Sequence, residues 1–185
     1  MADLTTVLER EPCVVADFGR PGLRFHVERT QGFGKLLLSG GAAEARFAEL
    51  VGAPAPAVGQ QIEAAGLSYA WLAPAEWLIS GAESAVSDQL ARLDSCAGDE
   101  ALLVNLTHAR AAFLLAGRDA RDALSAHCPL DLRPANFPVG AVARSLLGET
   151  GLFLARLQDL ADGAHFRILV DQTVAAYAAR LLTSF

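Results

Sequence analysis

The order strand, strand, helix recurs along this chain, and that recurrence constrains the fold more than any single motif. Residues 23–27 alternate, with Leu23, Phe25 and Val27 against Arg24 and His26, which predicts a half-buried strand. Gln31-Gly32-Phe33-Gly34 reads as a turn into a hairpin partner over 35–39, and Gly40-Gly41 opens a helix over 42–51. After a Pro-Ala connector at 53–58, strands follow over 67–72 and 76–80 across Pro74-Ala75. Ser80 and Glu83 have capping-box spacing, so a helix is expected from there to about Leu93, with a polar loop at 95–100.

The second half repeats this order. Strands are expected over 101–106 and 110–116, then a helix over 119–127 stopped at Pro129. Strands at 141–147 and 151–157 flank the turn Gly148-Glu149-Thr150, and 165–170 is one more strand. Asp171 caps a last helix that puts Val174, Tyr177, Ala178, Leu181, Leu182 and Phe185 on one face. Leu37-Leu38-Ser39-Gly40 answers Leu114-Leu115-Ala116-Gly117, and Ala91-Arg92-Leu93 answers Ala179-Arg180-Leu181. The chain is therefore read as α+β: two similar ββα–ββα halves with antiparallel sheets, 1–98 and 99–185, packed closely enough to form one domain.

Composition narrows the function classes. The 185 residues carry a net charge of −6 and no basic cluster, a poor match to a phosphate backbone, so nucleic-acid binding is not expected. No apolar run reaches the roughly 18–20 residues of a membrane helix, and Met1-Ala2-Asp3-Leu4-Thr5-Thr6 has no basic stretch leading into an apolar one. Cys13, Cys96 and Cys128 are odd in number and widely spaced, which fits a reduced, cytoplasmic compartment. Hydrophobic residues make up 52% and charged ones 19%, against roughly 25% charged in an average soluble domain. Alanine richness and a surface covered by a partner both account for that balance.

The candidate chemistry is sparse. Gly32-Phe33-Gly34 precedes a strand and lacks a third glycine, so it is read as a hairpin turn and not as a phosphate cradle. His26, His108, His127 and His165 show no metal-ligand spacing with each other or with the cysteines. Cys128 before Pro129 is either a nucleophile served by His108 or, the commoner fate, a buried structural thiol. Thr107-His108-Ala109-Arg110 has two readings. His108 and Arg110 face a carboxylate or folate-like anion, or Thr107 and His108 hold a hairpin corner while Arg110 meets solvent or a partner. Trp71 and Trp77, around Pro74, are core lids or interface anchors. Asp99, Glu100, Asp159 and Asp162 fall in predicted loops. No catalytic, cofactor-binding or metal-binding set is visible; Trp71, Trp77, Thr107, His108 and Arg110 are the partner-interface candidates.

Four segments carry a resemblance. They are Trp71-Leu72-Ala73-Pro74-Ala75-Glu76-Trp77-Leu78-Ile79, the Thr-His-Ala-Arg stretch, Cys128-Pro129-Leu130-Asp131-Leu132 and Phe137-Pro138-Val139-Gly140. Together they resemble the gamma subunit family of heterotetrameric sarcosine oxidase, from about Gly22 to the end. The block from Asn105 to Ala120 is also similar to the folate-binding aminomethyltransferases, whose acidic position is Asn105 here and whose serine is Thr107.

The resemblance implies an aminomethyltransferase-like fold and a non-catalytic subunit. The whole complex demethylates sarcosine oxidatively, giving glycine, hydrogen peroxide and 5,10-methylenetetrahydrofolate. By the same resemblance FAD, FMN, NAD and tetrahydrofolate belong to other subunits. The partners are the alpha subunit above all, then beta and delta. A subunit of a related N-methyl amino-acid dehydrogenase and a free-standing folate-binding one-carbon protein of the same fold are the alternatives.

Overall fold

Short alternating strands cannot bury their apolar faces alone, and here they do so in two antiparallel sheets, each with helices on its outer face. The computed structural model describes residues 15–184. In order these are β1 (Phe18–Arg20), β2 (Leu23–Glu28), β3 (Gln31–Leu38), α1 (Ala43–Val51), β4 (Gln61–Ala64), β5 (Leu67–Ala73), β6 (Glu76–Ala82) and α2 (Glu83–Ala97). There follow β7 (Ala101–Asn105), β8 (Arg110–Gly117), α3 (Ala120–Ser125), β9 (Val142–Leu147), β10 (Thr150–Arg156), β11 (Ala164–Asp171) and α4 (Ala175–Thr183). Cys13, the amino-terminal hexapeptide and Phe185 lie outside the described residues.

One sheet runs β1-β2-β8-β11-β10-β9 and the other β4-β5-β6-β3-β7. Without β1, the two orders superpose: β2 answers β7, β8 answers β3, and the remaining strands follow in register. The repeat is therefore real in its order, with one exchange. Each copy gives its first strand to the other copy's sheet, so β2 pairs with β8, and β7 pairs with β3. The sheets do not follow the 98/99 division.

Three apolar clusters hold the layers. Leu23, Phe25, Phe113, Leu115, Phe166 and Ile168 pack beneath α3 and α4, which contribute Leu124, Ala178 and Leu182. Leu36, Leu38, Tyr69, Trp77 and Ile79 pack beneath α1 and α2, through Phe47, Leu50, Val86, Leu90 and Leu93. Between the sheets lie Phe33, Ala70, Leu78, Ala112, Val142, Ala155 and Leu169. Alternation along β3 explains the division of labour: even residues face α2, and Phe33 faces the second sheet.

Several expectations need correcting. β2 and β3 are not a hairpin; they belong to different sheets, and Gln31-Gly32-Phe33-Gly34 is the first half of β3. A Cβ on Gly32 would sit 2.7 Å from the Glu83 Cα, and one on Gly34 would sit 2.9 Å from Leu90 Cδ2. The two glycines let α2 lie close on the strand; they do not turn the chain. Ser80 is no helix cap: it is a buried residue of β6, between Phe33 and Ser68, and α2 starts after Ala82 without a side-chain cap. α2 also continues to Ala97, and a 3-10 turn at Gly98–Glu100 takes the place of the expected loop. β1 and β4, both short, are additional to the predicted strands. Asp171 does cap as expected: its carboxylate accepts from Thr173 N at 3.0 Å, leading through a 3-10 turn into α4.

Candidate functional site

The Thr107–Arg110 corner is a crossover between the two sheets, not a hairpin, because β7 and β8 lie in different ones. A 3-10 turn over Thr107–Ala109 makes the passage. Thr107 fixes it: the Phe33 amide donates to Thr107 Oγ1 at 3.1 Å, and Leu106 N donates to Phe33 O at 2.8 Å. Asn105 closes the turn through its side-chain oxygen, which accepts from Thr107 N at 3.0 Å. A neutral amide is sufficient for that role. His108 stands 90% exposed, 3.9 Å from Glu83. Arg110 Nη1 donates to Asp171 Oδ2 at 3.0 Å, tying the start of β8 to the end of β11. The Asp171 carboxyl is held below its usual range, first by the Thr173 hydroxyl and amide and then by Arg110.

Arg110 also stands at the mouth of an open cleft of about 830 Å³ between the sheets. Its apolar floor includes Leu72, Leu78, Leu106, Phe153 and Leu169. Lys35 and Glu76 are paired at 2.8 Å on one wall; Arg144, which has no ion-pair partner among the described residues, stands on the other. Leu146 lines the same cleft and keeps half of its surface exposed.

The tryptophans separate. Trp77 is a core residue, 1% exposed, its ring 4.7 Å from that of Phe47. As an interface anchor it is thus limited to the floor of a shallow groove, where it lies between Glu44, Ala48, the 54–58 connector and Trp71. Trp71, directly opposite Trp77 on the neighbouring strand, stays half-buried at the surface.

The structure does not bring the other polar candidates together. Cys128 is buried in the core with its thiol 3.8 Å from Ser145 Oγ, while His108 is out in solvent. Among the described residues, no group of three or more His, Cys, Asp or Glu is placed to hold a metal ion. The Cys-Pro-Leu-Asp segment is a loop staple. Asp131 accepts from Arg133 N at 3.1 Å, from the Arg133 guanidinium and from Asn136 Nδ2, so its carboxyl is held far below the usual range, chiefly by the Arg133 side chain. Leu132 and Phe137 on the same loop enter the core.

Two arginines, Arg156 buried and Arg167 partly so, gave no signal in the sequence. Arg167 makes a two-pronged contact with Glu28, at 2.7 and 2.9 Å. Arg156, 3% exposed, donates to the carbonyls of Leu157 and His165 at 2.9 Å, pairs with Asp159, and lies 4.9 Å over the Phe166 ring.

This two-sheet arrangement is the aminomethyltransferase type of α+β fold. It aligns with the glycine cleavage system aminomethyltransferase T from Bartonella henselae at a TM-score of 0.65 and 17% identity. That alignment covers 88% of this chain and 46% of the other, so the chain spans under half of that enzyme. It aligns more fully with a chain of the heterotetrameric sarcosine oxidase from Corynebacterium sp. U-96 in complex with pyrrole 2-carboxylate. There the TM-score is 0.77 and the identity 24%, over 89% of this chain and 84% of that one. At these identities both alignments speak for the fold. Comparison with curated protein sequences gives no match. The profile of the sarcosine oxidase, gamma subunit family matches residues 39–178, and the chain belongs to that family.

Proposed function

We propose that this chain is the gamma subunit of a heterotetrameric sarcosine oxidase, a structural partner of the subunits that carry the chemistry. The observation behind this is the family match across 39–178. In this reading FAD, FMN, NAD and tetrahydrofolate sit on the other subunits, and the alpha subunit is the principal contact, with beta and delta completing the assembly. The subunit contributes by covering apolar surface, at about 25 cal/mol per Å² before the cost of association. The Thr107–Arg110 corner supports it: the turn is held by Thr107 and Asn105, so His108 and Arg110 are presented on a fixed backbone. Trp71 is the second candidate contact.

Co-expression with the larger subunits, followed by gel filtration, tests the reading. The wild-type chain is expected to co-elute, and Arg110→Glu and Trp71→Ala to weaken that co-elution. Unchanged co-elution of both variants would remove these surfaces from the proposal. Trp77→Ala is not a useful probe, because it empties a core position.

A second reading, a free-standing folate-binding one-carbon protein, draws on the cleft between the sheets. Its apolar floor and the Lys35, Arg110 and Arg144 side chains would suit a flat aromatic ring bearing a carboxylate. Calorimetry of the isolated chain with tetrahydrofolate separates the two: saturable heat supports this reading, and its absence leaves the subunit.

A further inference from the structure

Of the four sheet edges among the described residues, three are blunted in familiar ways. β1 is three residues long and is followed by Pro21. β4 is four residues long and carries Glu63. β9 carries Arg144, and Ala141 just before it is bridged to Gln60. The fourth edge, β7, reads Ala-Leu-Leu-Val-Asn, with no proline, no charge and no bulge against β3. Such an edge is a template for pairing with another chain, by the same backbone bonding that adds a partner's strand to a sheet.

The register says which groups are open. Leu106 N donates to Phe33 O, and Ser39 N donates to Glu100 O, both at 2.8 Å. In an antiparallel ladder, hydrogen-bonded pairs recur every second residue. Residues 100, 102, 104 and 106 therefore turn their backbone groups toward β3, and Leu103 and Asn105 turn theirs outward. The outward amides and carbonyls of Leu103 and Asn105 have no hydrogen-bond partner among the described residues. Beside them Leu102 is 56% exposed, and Asn105 and His108 extend the same open border into the crossover. Asp99, which has no ion pair among the described residues, precedes the strand.

We infer that β7 is a strand-addition site: an extended segment of a larger partner subunit pairs with Ala101–Asn105 and continues the five-stranded sheet to a sixth strand. The inference rests on the subunit reading above and specifies how the subunit is gripped. The occupant takes two hydrogen bonds from the amides and gives two to the carbonyls of Leu103 and Asn105. It carries apolar side chains at alternate positions beside Leu102 and Val104, and a lysine or arginine beside Asp99.

Leu103→Pro is the selective probe. It removes an outward N–H and leaves every β3 hydrogen bond in place. Leu102→Lys, at an exposed position, is the companion variant that puts a charge on the edge without touching the ladder. In co-expression with the larger subunits, both variants are expected to lose co-elution, with far-UV circular dichroism matching wild type for each. In the assembled wild-type complex, hydrogen exchange at the Leu103 and Asn105 amides is expected to slow relative to the isolated chain. Folded variants that co-elute at wild-type stoichiometry overturn the edge assignment and leave the subunit reading intact. A wild-type chain that does not co-elute at all overturns both. A wild-type chain that dimerises alone, and becomes monomeric as Leu103→Pro, shows that a second copy is the occupant and overturns the partner.

Discussion

Glu28 and Arg167 reach each other across β8 from β2 and β11, 139 residues apart in the chain, and their side chains keep 7% and 18% of their surface. A charge this far from water is costly unless paired, and the two-pronged geometry supplies the pairing. Glu28→Gln leaves the guanidinium without its counter-charge and is expected to lower stability by about 2–3 kcal/mol. That is under the 3–5 typical of full burial, since Arg167 still reaches solvent. Urea denaturation is the measurement. Glu28→Gln combined with Arg167→Met should recover most of the loss, since neither charge then remains. None of this was legible in the sequence, where Glu28 and Arg167 are ordinary charged residues on strands that nothing local pairs. The Cys128 thiol was legible, because a cysteine between a helix end and a proline has a local explanation. Trp77 was only half legible: its size marked it as important, but the choice between core and surface depended on Phe47 in a different element.

At the level of elements, periodicity placed most strands and all four α-helices of the described residues, and it failed where a distant element set the residue type. Gly32 and Gly34 look like turn residues because glycine is common in turns. They are glycine here because Glu83 and Leu90 of α2 occupy the space a Cβ would need. Gly32→Ala is expected to push α2 off β3 and lower the stability by about 1–3 kcal/mol, the range for overpacked cores. A shift of the urea midpoint with an unchanged slope would confirm a purely native-state effect; no shift would show that α2 adjusts freely. The apparent capping box failed for a related reason. Ser80 has the spacing of a cap, but two flanking strands claim it first, at Phe33 and Ser68. The crossover at Thr107–Ala109 was misread as a hairpin because local sequence does not report which sheet a strand will join. Its holding residue, Thr107, was nonetheless singled out, but its hydroxyl bonds the distant backbone of Phe33 on β3, and the local turn is closed by Asn105.

For the whole molecule, the repeated order was legible and the exchange of first strands was not. Order is written in patterns along the chain, whereas pairing is decided by which apolar faces meet. The charges also act collectively. Asp17, Asp131, Asp162 and Asp171 are all held below the usual carboxylate range, by the Val27 amide, Arg133, Arg24 and Thr173 respectively as the first causes. A depressed folded-state value means that the stabilisation is fully present above the unfolded value, about pH 4, and fades as pH falls through the folded one. Thermal melts are therefore expected to be level in these groups above about pH 5 and to decline modestly below pH 4, since all four carboxyls are exposed and screened by solvent. Asp131→Asn should remove part of that fall; an unchanged acid limb would show that the Arg133 staple does not contribute.

The exchanged strand also sets a timetable for the growing polypeptide. Phe25 pairs with Leu115, so β2 leaves the ribosome about 90 residues before its inner neighbour β8 exists, a wait of several seconds at ordinary rates of synthesis. For that interval Leu23, Phe25 and Val27 have only the three-residue β1 beside them and no core to enter, an apolar ribbon suited to a holding chaperone.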